Sequence, residues 1–299
     1  MPDTLFTQPP HWEWLIVLYF FFGGIAAGAY ALAVIVDFVG SGADRAVARV
    51  GYFVAFPLIL VSGLLLTLDL GAPDRFWHML VASNSGGLMF KWWSPMSVGS
   101  WALLIFGLFS GISFVGALAE VGVLSFLRPF SGLVRRGPLG VLFGAVGAVF
   151  GLFIAGYTGV LLSVTNQPVW ADSQLLGALF LASAASTALA VLLIVIEQRH
   201  AGHGLLARLE QADNWVMGIE LVVLAAFLAT LGGLTGRLVL SAWGALLILG
   251  VGVLGNIAPL VIHLRGRDAA IQTASYAAVL ALLGGFLLRF AIIMGGQAL

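Results

Sequence analysis

The chain has 299 residues, is 61% hydrophobic and only 9% charged, and has a mean hydropathy of +1.08, a balance that excludes an ordinary soluble domain. Its 13 basic and 13 acidic residues cancel to zero net charge and form no basic tract, so nothing points to nucleic acid as a partner. The absence of cysteine excludes disulfides and thiolate-held iron–sulfur clusters.

Crossing a bilayer takes roughly 20 apolar residues in a helix, and such runs recur along the whole sequence. They predict eight transmembrane helices in one membrane domain over residues 1–299. The first, Trp14 to Asp37, follows Asp3, Pro9, Pro10 and Glu13 with no Lys or Arg before it. Lacking a basic n-region, it is expected to be a retained span and not a cleaved signal peptide. It carries Tyr19 near its start and then GGIAAG, Gly23 to Gly28, whose glycine spacing suits close helix packing. The second helix, Gly51 to Leu70, closes on Asp69, and a long loop from Gly71 to Pro95 follows, holding Asp74, Arg75, Asn84 and Lys91.

The third helix is expected over Ser97 to Leu118 and the fourth over Leu139 to Val164. The fourth repeats the glycine spacing in GVLFGAVGAVFG, Gly140 to Gly151, and carries Tyr157. The polar loop TNQPVWADSQ, Thr165 to Gln174, includes Asn166 and Trp170. A fifth helix, Leu175 to Ile196, leads to a linker with His200 and His203; two histidines in a loop are better read as solvated than as metal ligands. The sixth, Trp215 to Leu234, contains Glu220; the seventh, Leu238 to Leu264, contains Asn256 and His263; the eighth, Thr273 to Met294, contains Arg289. The alternating short segments of an outer-membrane barrel are absent, so the expected fold class is an all-α integral membrane protein.

Basic residues orient the bundle. With the N-terminus outside, the inside loops hold Arg45, Arg49, Arg128, Arg135, Arg136, Arg199, Arg208, Arg265 and Arg267, against Arg75, Lys91 and Arg237 outside. The positive-inside rule then places both termini, N-out and C-out, on the periplasmic side of a bacterial or archaeal cytoplasmic (inner) membrane. Of the histidines His11, His78, His200, His203 and His263, only His263 falls in a helix, so a haem held between two histidines is not expected.

Threading the helices gives each polar residue a depth. Tyr19, Asp69, Tyr157 and Arg289 fall near the outer surface, beneath the two polar loops. Together they supply hydroxyl donors, a titratable carboxyl and a cation beside apolar walls, which is what binding and protonating a quinone headgroup requires. An unpaired arginine in lipid costs a few kcal/mol or more, and Asp69 is the expected partner of Arg289. A structural ion pair or snorkelling to the headgroups explains the arginine equally well. Tyr19 and Tyr157 are alternatively members of an aromatic belt with Trp77, Trp92, Trp93 and Trp170. On the inner side, Asp37, Glu120 and Glu197 lie at helix ends, whereas Glu220 lies deeper and with Asn256 and His263 is a candidate proton path; protonation or pairing with a neighbouring helix accounts for Glu220 as well.

Specific strings carry a family resemblance: YFFFGGIAAGAYALA from Tyr19, LDLGAPDRFWHML from Leu68, GYTGVLLSVTNQPVW from Gly156 and LLRFAIIMGGQ from Leu287. The chain resembles the NrfD/PsrC family, the membrane subunits of polysulfide reductase, formate-dependent nitrite reductase and related molybdenum or tungsten enzymes. The resemblance implies eight helices, no haem, a menaquinone or ubiquinone pocket near the outer face, and a partner subunit with four iron–sulfur clusters that serves a molybdenum or tungsten catalytic subunit. In the polysulfide reductase member a histidine of the first helix and a tyrosine of the fourth contact the quinone; they fall at Tyr19 and Tyr157 here, and an asparagine of that family member is replaced by Leu15 or Ile16. Tyrosine still donates a hydrogen bond but is a much poorer proton carrier than histidine near neutral pH. The implied function is a quinone-reactive anchor exchanging electrons with its iron–sulfur partner, in a formate, polysulfide, thiosulfate or nitrite system. Asp74, Arg75, Asn84, Lys91, Asn166 and Trp170 are the expected docking residues for that partner. A secondary transporter of a small polar solute is the alternative, and a purely structural anchor a third.

Overall fold

The computed structural model describes residues 12–83, 85–127, 129, 137–199, 203–265 and 272–298. Where lipid offers no hydrogen bonds, the backbone must satisfy itself within helices, and these residues do so in eight helices long and apolar enough to span a membrane. They are α1 (Trp14–Val39), α2 (Arg45–Leu68), α3 (Pro95–Glu120), α4 (Gly137–Ser163), α5 (Leu176–Gln198), α6 (His203–Thr230), α7 (Ala242–Arg265) and α8 (Gln272–Ala298). Apart from an isolated bridge between Val81 and Leu88, the described residues hold no β-structure. The chain is a multi-pass membrane protein.

The centre of the bundle is α1, which packs on α2, α4, α5 and α8. Glycine makes this possible. A Cβ on Gly28 would lie 2.5 Å from the Ala184 carbonyl oxygen of α5, so only hydrogen fits at that crossing. Gly255 of α7 stands in the same relation to Gly284 of α8, where a Cβ would meet the opposing Cα at 2.5 Å. The glycine stripes thus serve packing, as their spacing predicts.

Two features depart from expectation. Helix α6 begins at His203 and not near Trp215, because Leu206, Leu209 and Asp213 recur on one buried face while Arg208 turns outward. Within α7, residues Leu246–Ile257 form a π-helix flanked by α-helical Ala242–Ala245 and Ala258–Arg265; long π-helical runs are rare. Asn84, His11, His200, Arg128, Arg135, Arg136 and Arg267 lie outside the described residues.

By the alternation of spans, the loops after α2 and α4 lie on the same membrane face as the start of α1. The first of them is organised by a 3-10 helix, Pro73–Met79, and by the Trp101 indole, which donates to the Met89 carbonyl at 2.8 Å.

Candidate functional site: a cavity under the loops and a buried charged layer

Tyr19 projects from the first third of α1, Asp69 caps the end of α2, and Tyr157 lies near the end of α4. The three line one cavity of about 80 Å³, closed by Trp12, Phe20, Met79 and Gly99. Tyr19 and Tyr157 are buried. The Tyr157 hydroxyl donates to the Pro95 carbonyl in the first turn of α3 at 2.7 Å. Its ring sits where a side chain on Gly99 would otherwise stand. Asp69 is half-buried, and burial followed by the nearby Glu13 carboxylate raises its pKa above the usual carboxylate value.

A second space adjoins the cavity. Leu66, Leu70, Met79 and Ser100 also line a larger apolar groove of about 480 Å³ between α2 and α3, which continues along Ile59 and Leu104. Ligand pockets commonly measure roughly 300–1,000 Å³, so a ring with a long tail needs both spaces together. A compact polar end beside an extended apolar slot is the shape such a ligand demands.

Arg289, expected beside Asp69, does not line this cavity. It lies deeper, 1% exposed, where its Nε donates to the Phe20 carbonyl at 3.2 Å and its Nη1 donates to Ser183 Oγ at 2.9 Å and the Gly285 carbonyl at 2.7 Å. The Phe180 ring lies 5.5 Å away, and Gly24 leaves room for the guanidinium. The charge that answers it is Glu220, which lies beside Ser183 and Asn256 and within electrostatic reach of the guanidinium. The sequence placed Arg289 near the outer surface beside Asp69; it lies deeper, its side-chain bonds reach α1 and α5, and the nearest opposite charge comes from α6, not α2. The Asp69–Arg289 pair is therefore replaced by a cluster of Arg289, Ser183 and Glu220.

Glu220, Asn256 and His263, grouped from the sequence, all prove buried. His263 Nδ1 lies 2.8 Å from Asn214 Oδ1. Sequence reading missed Asp213, which is fully buried on α6; with the helix expected to start at Trp215 it passed for a loop residue. The inner carboxylates at helix ends are paired. Asp37 accepts from the Tyr52 hydroxyl at 2.8 Å, Glu120 meets Arg45 at 2.6 Å, and Glu197 accepts from Ser275.

Of the expected docking residues, Asp74, Arg75, Lys91 and Asn166 are exposed. Trp170 is not available for docking. It is fully buried, stacks on Trp12 at 5.2 Å and donates its indole N–H to the Ile292 carbonyl at 2.7 Å, which pins the second loop to α8. An indole has its apolar area to bury and a single donor to satisfy, and both needs are met inside the bundle.

Known proteins resemble the chain over its length. It is 28% identical to protein NrfD of Escherichia coli, with 96% of this chain and 95% of that protein covered. It is 26% identical to a polysulfide reductase chain of Wolinella succinogenes, covering 96% and 94%. A shorter match, 29% identical, relates 30% of this chain to 21% of a selenate reductase subunit of Mesobacillus selenatarsenatis. The family described as polysulphide reductase, NrfD, matches residues 4–299, and the chain belongs to that family.

Proposed function

We propose that the chain is the quinone-reactive membrane subunit of a multi-subunit reductase, exchanging electrons with an iron–sulfur partner that serves a molybdenum or tungsten catalytic subunit. The observation that carries this reading is the convergence of Tyr19, Asp69 and Tyr157 on a cavity that shares Leu66, Leu70, Met79 and Ser100 with an apolar groove. Relatives named as components of a polysulfide reductase and of a selenate reductase support a membrane anchor in such a complex.

The residues present fit menaquinone or ubiquinone. When bound, either supplies a carrier for two electrons and two protons. Leu66, Leu104 and their neighbours hold the tail in the groove. The Tyr157 hydroxyl, which donates to the Pro95 carbonyl in this structure, would donate to a headgroup oxygen on rotating. Tyr19 lines the same cavity and would be a second donor. Asp69 moves the proton: its raised pKa keeps it protonated to higher pH than an ordinary carboxylate, as a proton donor at that place requires. The exposed loop residues Asp74, Arg75, Lys91 and Asn166 bring the partner's nearest cluster to this face.

Tyr157→Phe tests the reading in the assembled complex. A hydrogen bond to a charged group contributes roughly 1.5–3 kcal/mol, or about ten- to a hundredfold in rate if it is made only in the transition state. Quinone-linked turnover should fall by that factor, while reaction of the partner subunits with a soluble artificial electron carrier stays unchanged. Quinone turnover at the wild-type rate removes Tyr157 from the site. The second reading, a secondary transporter, draws on the buried Ser183–Glu220–Arg289 layer. Purification as a solitary chain that accumulates solute in vesicles would favour it.

A further inference from the structure

Among the described residues, the buried side-chain atoms with no hydrogen-bond partner are both carboxylate oxygens of Asp213, Oδ1 of Asn256 and Nε2 of His263. Buried polar atoms nearly always find partners. These lie along α6 and α7, in the half of the bundle away from the cavity. Asp213 is 0% exposed and Asn256 1%. An ionisable group placed so within a membrane marks function more often than packing.

The surroundings define a track. Nearest the far face, His263 Nδ1 meets Asn214 Oδ1 at 2.8 Å; an amide oxygen only accepts, so Nδ1 is the donor and Nε2 keeps its lone pair. Asp213 is adjacent to Asn214 on α6, near the Ser186 hydroxyl of α5 and within electrostatic reach of Glu210 and Glu220 of its own helix. Glu220 lies about two turns further along, met by Ser183 from α5, Asn256 from α7 and the Arg289 charge from α8. Asn256 also donates to the Val251 carbonyl at 3.0 Å, inside the π-helical run, a geometry that concentrates at functional sites.

We propose that Asp213 and Glu220 form a proton-loading site that fills and empties, through His263 and Asn214, from the membrane face opposite the cavity. A proton leaves water at that face, binds a carboxylate oxygen of Asp213 and passes to the Glu220 carboxylate. Only O–H and N–H bonds form and break, and no electron moves. The track stops at Arg289, whose guanidinium does not release its proton. Its Nε bond to the Phe20 carbonyl, on the cavity wall, sets a fixed charge between the loading site and the cavity. The coupling to the cavity rests on the quinone reading; the loading site itself does not.

Infrared titration of the protein in lipid nanodiscs, without quinone, reads the carbonyl stretch of protonated carboxyls and its shift in D2O. A titrating band of the wild type should be lost in Asp213→Asn and displaced in Asp213→Glu. A folded Asp213→Asn protein whose titrating carboxyl bands superimpose on the wild type overturns the site. If that variant does not fold, Asp213→Glu carries the test, and an undisplaced band overturns it. In proteoliposomes of the complex, Asp213→Asn should lose the reversible proton binding read by a pH dye at the far face after a pH step, while quinone turnover persists. Undiminished reversible binding overturns the site. Absence of quinone turnover in the wild type would strike the quinone reading and leave the infrared result standing.

Discussion

At the scale of single residues, the two buried sets differ in how their charges are answered. Tyr19 and Tyr157 need only hydrogen bonds, whereas Arg289 needs a counter-charge, and Glu220 supplies it through Ser183. Removing one partner of a buried pair leaves the other uncompensated, at a cost of about 3–5 kcal/mol. Arg289→Gln should therefore strongly lower the melting temperature of the purified protein, while Asp69→Asn should leave it near wild type. A double-mutant cycle discriminates further, since residues in one network couple by about 0.5–3 kcal/mol and separated ones add within about 0.5. Coupling of that size between Arg289 and Glu220, and none between Arg289 and Asp69, is expected; the reverse would restore the pairing with Asp69. That Arg289 must have a partner was legible in the sequence, because lipid forces one. Which partner was not, since the neighbour a side chain faces follows from packing and not from counting along a helix. Asp213 was hidden for a different reason: hydropathy ends a helix where charges begin, and here the helix carries its charges inward.

At the scale of elements, that early start of α6 is held by the turn between α1 and α2. Ser41 and Asp44 form a capping box over the 3-10 helix Gly42–Asp44, and the Asp44 carboxylate also receives Arg208 of α6, with Nη2 at 2.5 Å. The Ser41 backbone N–H, donating at 2.9 Å, is the largest cause holding the Asp44 pKa below the usual carboxylate value, against the opposing effect of burial. A folded pKa below the unfolded one gives stability that is present above the unfolded value and lost as pH falls through the folded value. Asp44→Asn should thus lower the melting temperature at neutral pH, and the gap from wild type should close as the buffer is acidified through the folded pKa. A gap that persists at low pH would assign the effect to shape and not to charge. The glycine stripes, by contrast, were readable as packing faces from spacing alone, because close helix approach leaves no other residue a place. The π-helix had no such signature: nothing in the apolar run Leu246–Ile257 distinguishes it from an α-helix before its neighbours are known.

At the scale of the whole molecule, the bundle has two unlike faces. One carries the cavity, the 3-10 helix and the exposed residues Asp74, Arg75, Lys91 and Asn166; the other carries the Arg45–Glu120 and Arg208–Asp44 ion pairs. Eight spans were legible because lipid imposes their length, and the expected sidedness rests on where arginines collect. The role proposed for the first face makes a geometric demand: with no cysteine to hold an iron–sulfur cluster of its own, the chain would receive its partner directly above Tyr157 and Asp69. Trp170 cannot take part, being spent on the Ile292 carbonyl, so contact falls to the exposed residues of the two loops. The sequence contains no cysteine, which makes single introduced thiols unambiguous reporters. Lys91→Cys and Asn166→Cys should react with an impermeant thiol reagent from outside intact cells when the protein is expressed alone, and be shielded when the complex assembles. Arg199→Cys, exposed beyond the end of α5, should react only after the membrane is opened. Equal labelling of Lys91→Cys and Asn166→Cys with and without the partner would remove the docking surface from these loops, and labelling of Arg199→Cys in intact cells would invert the proposed orientation.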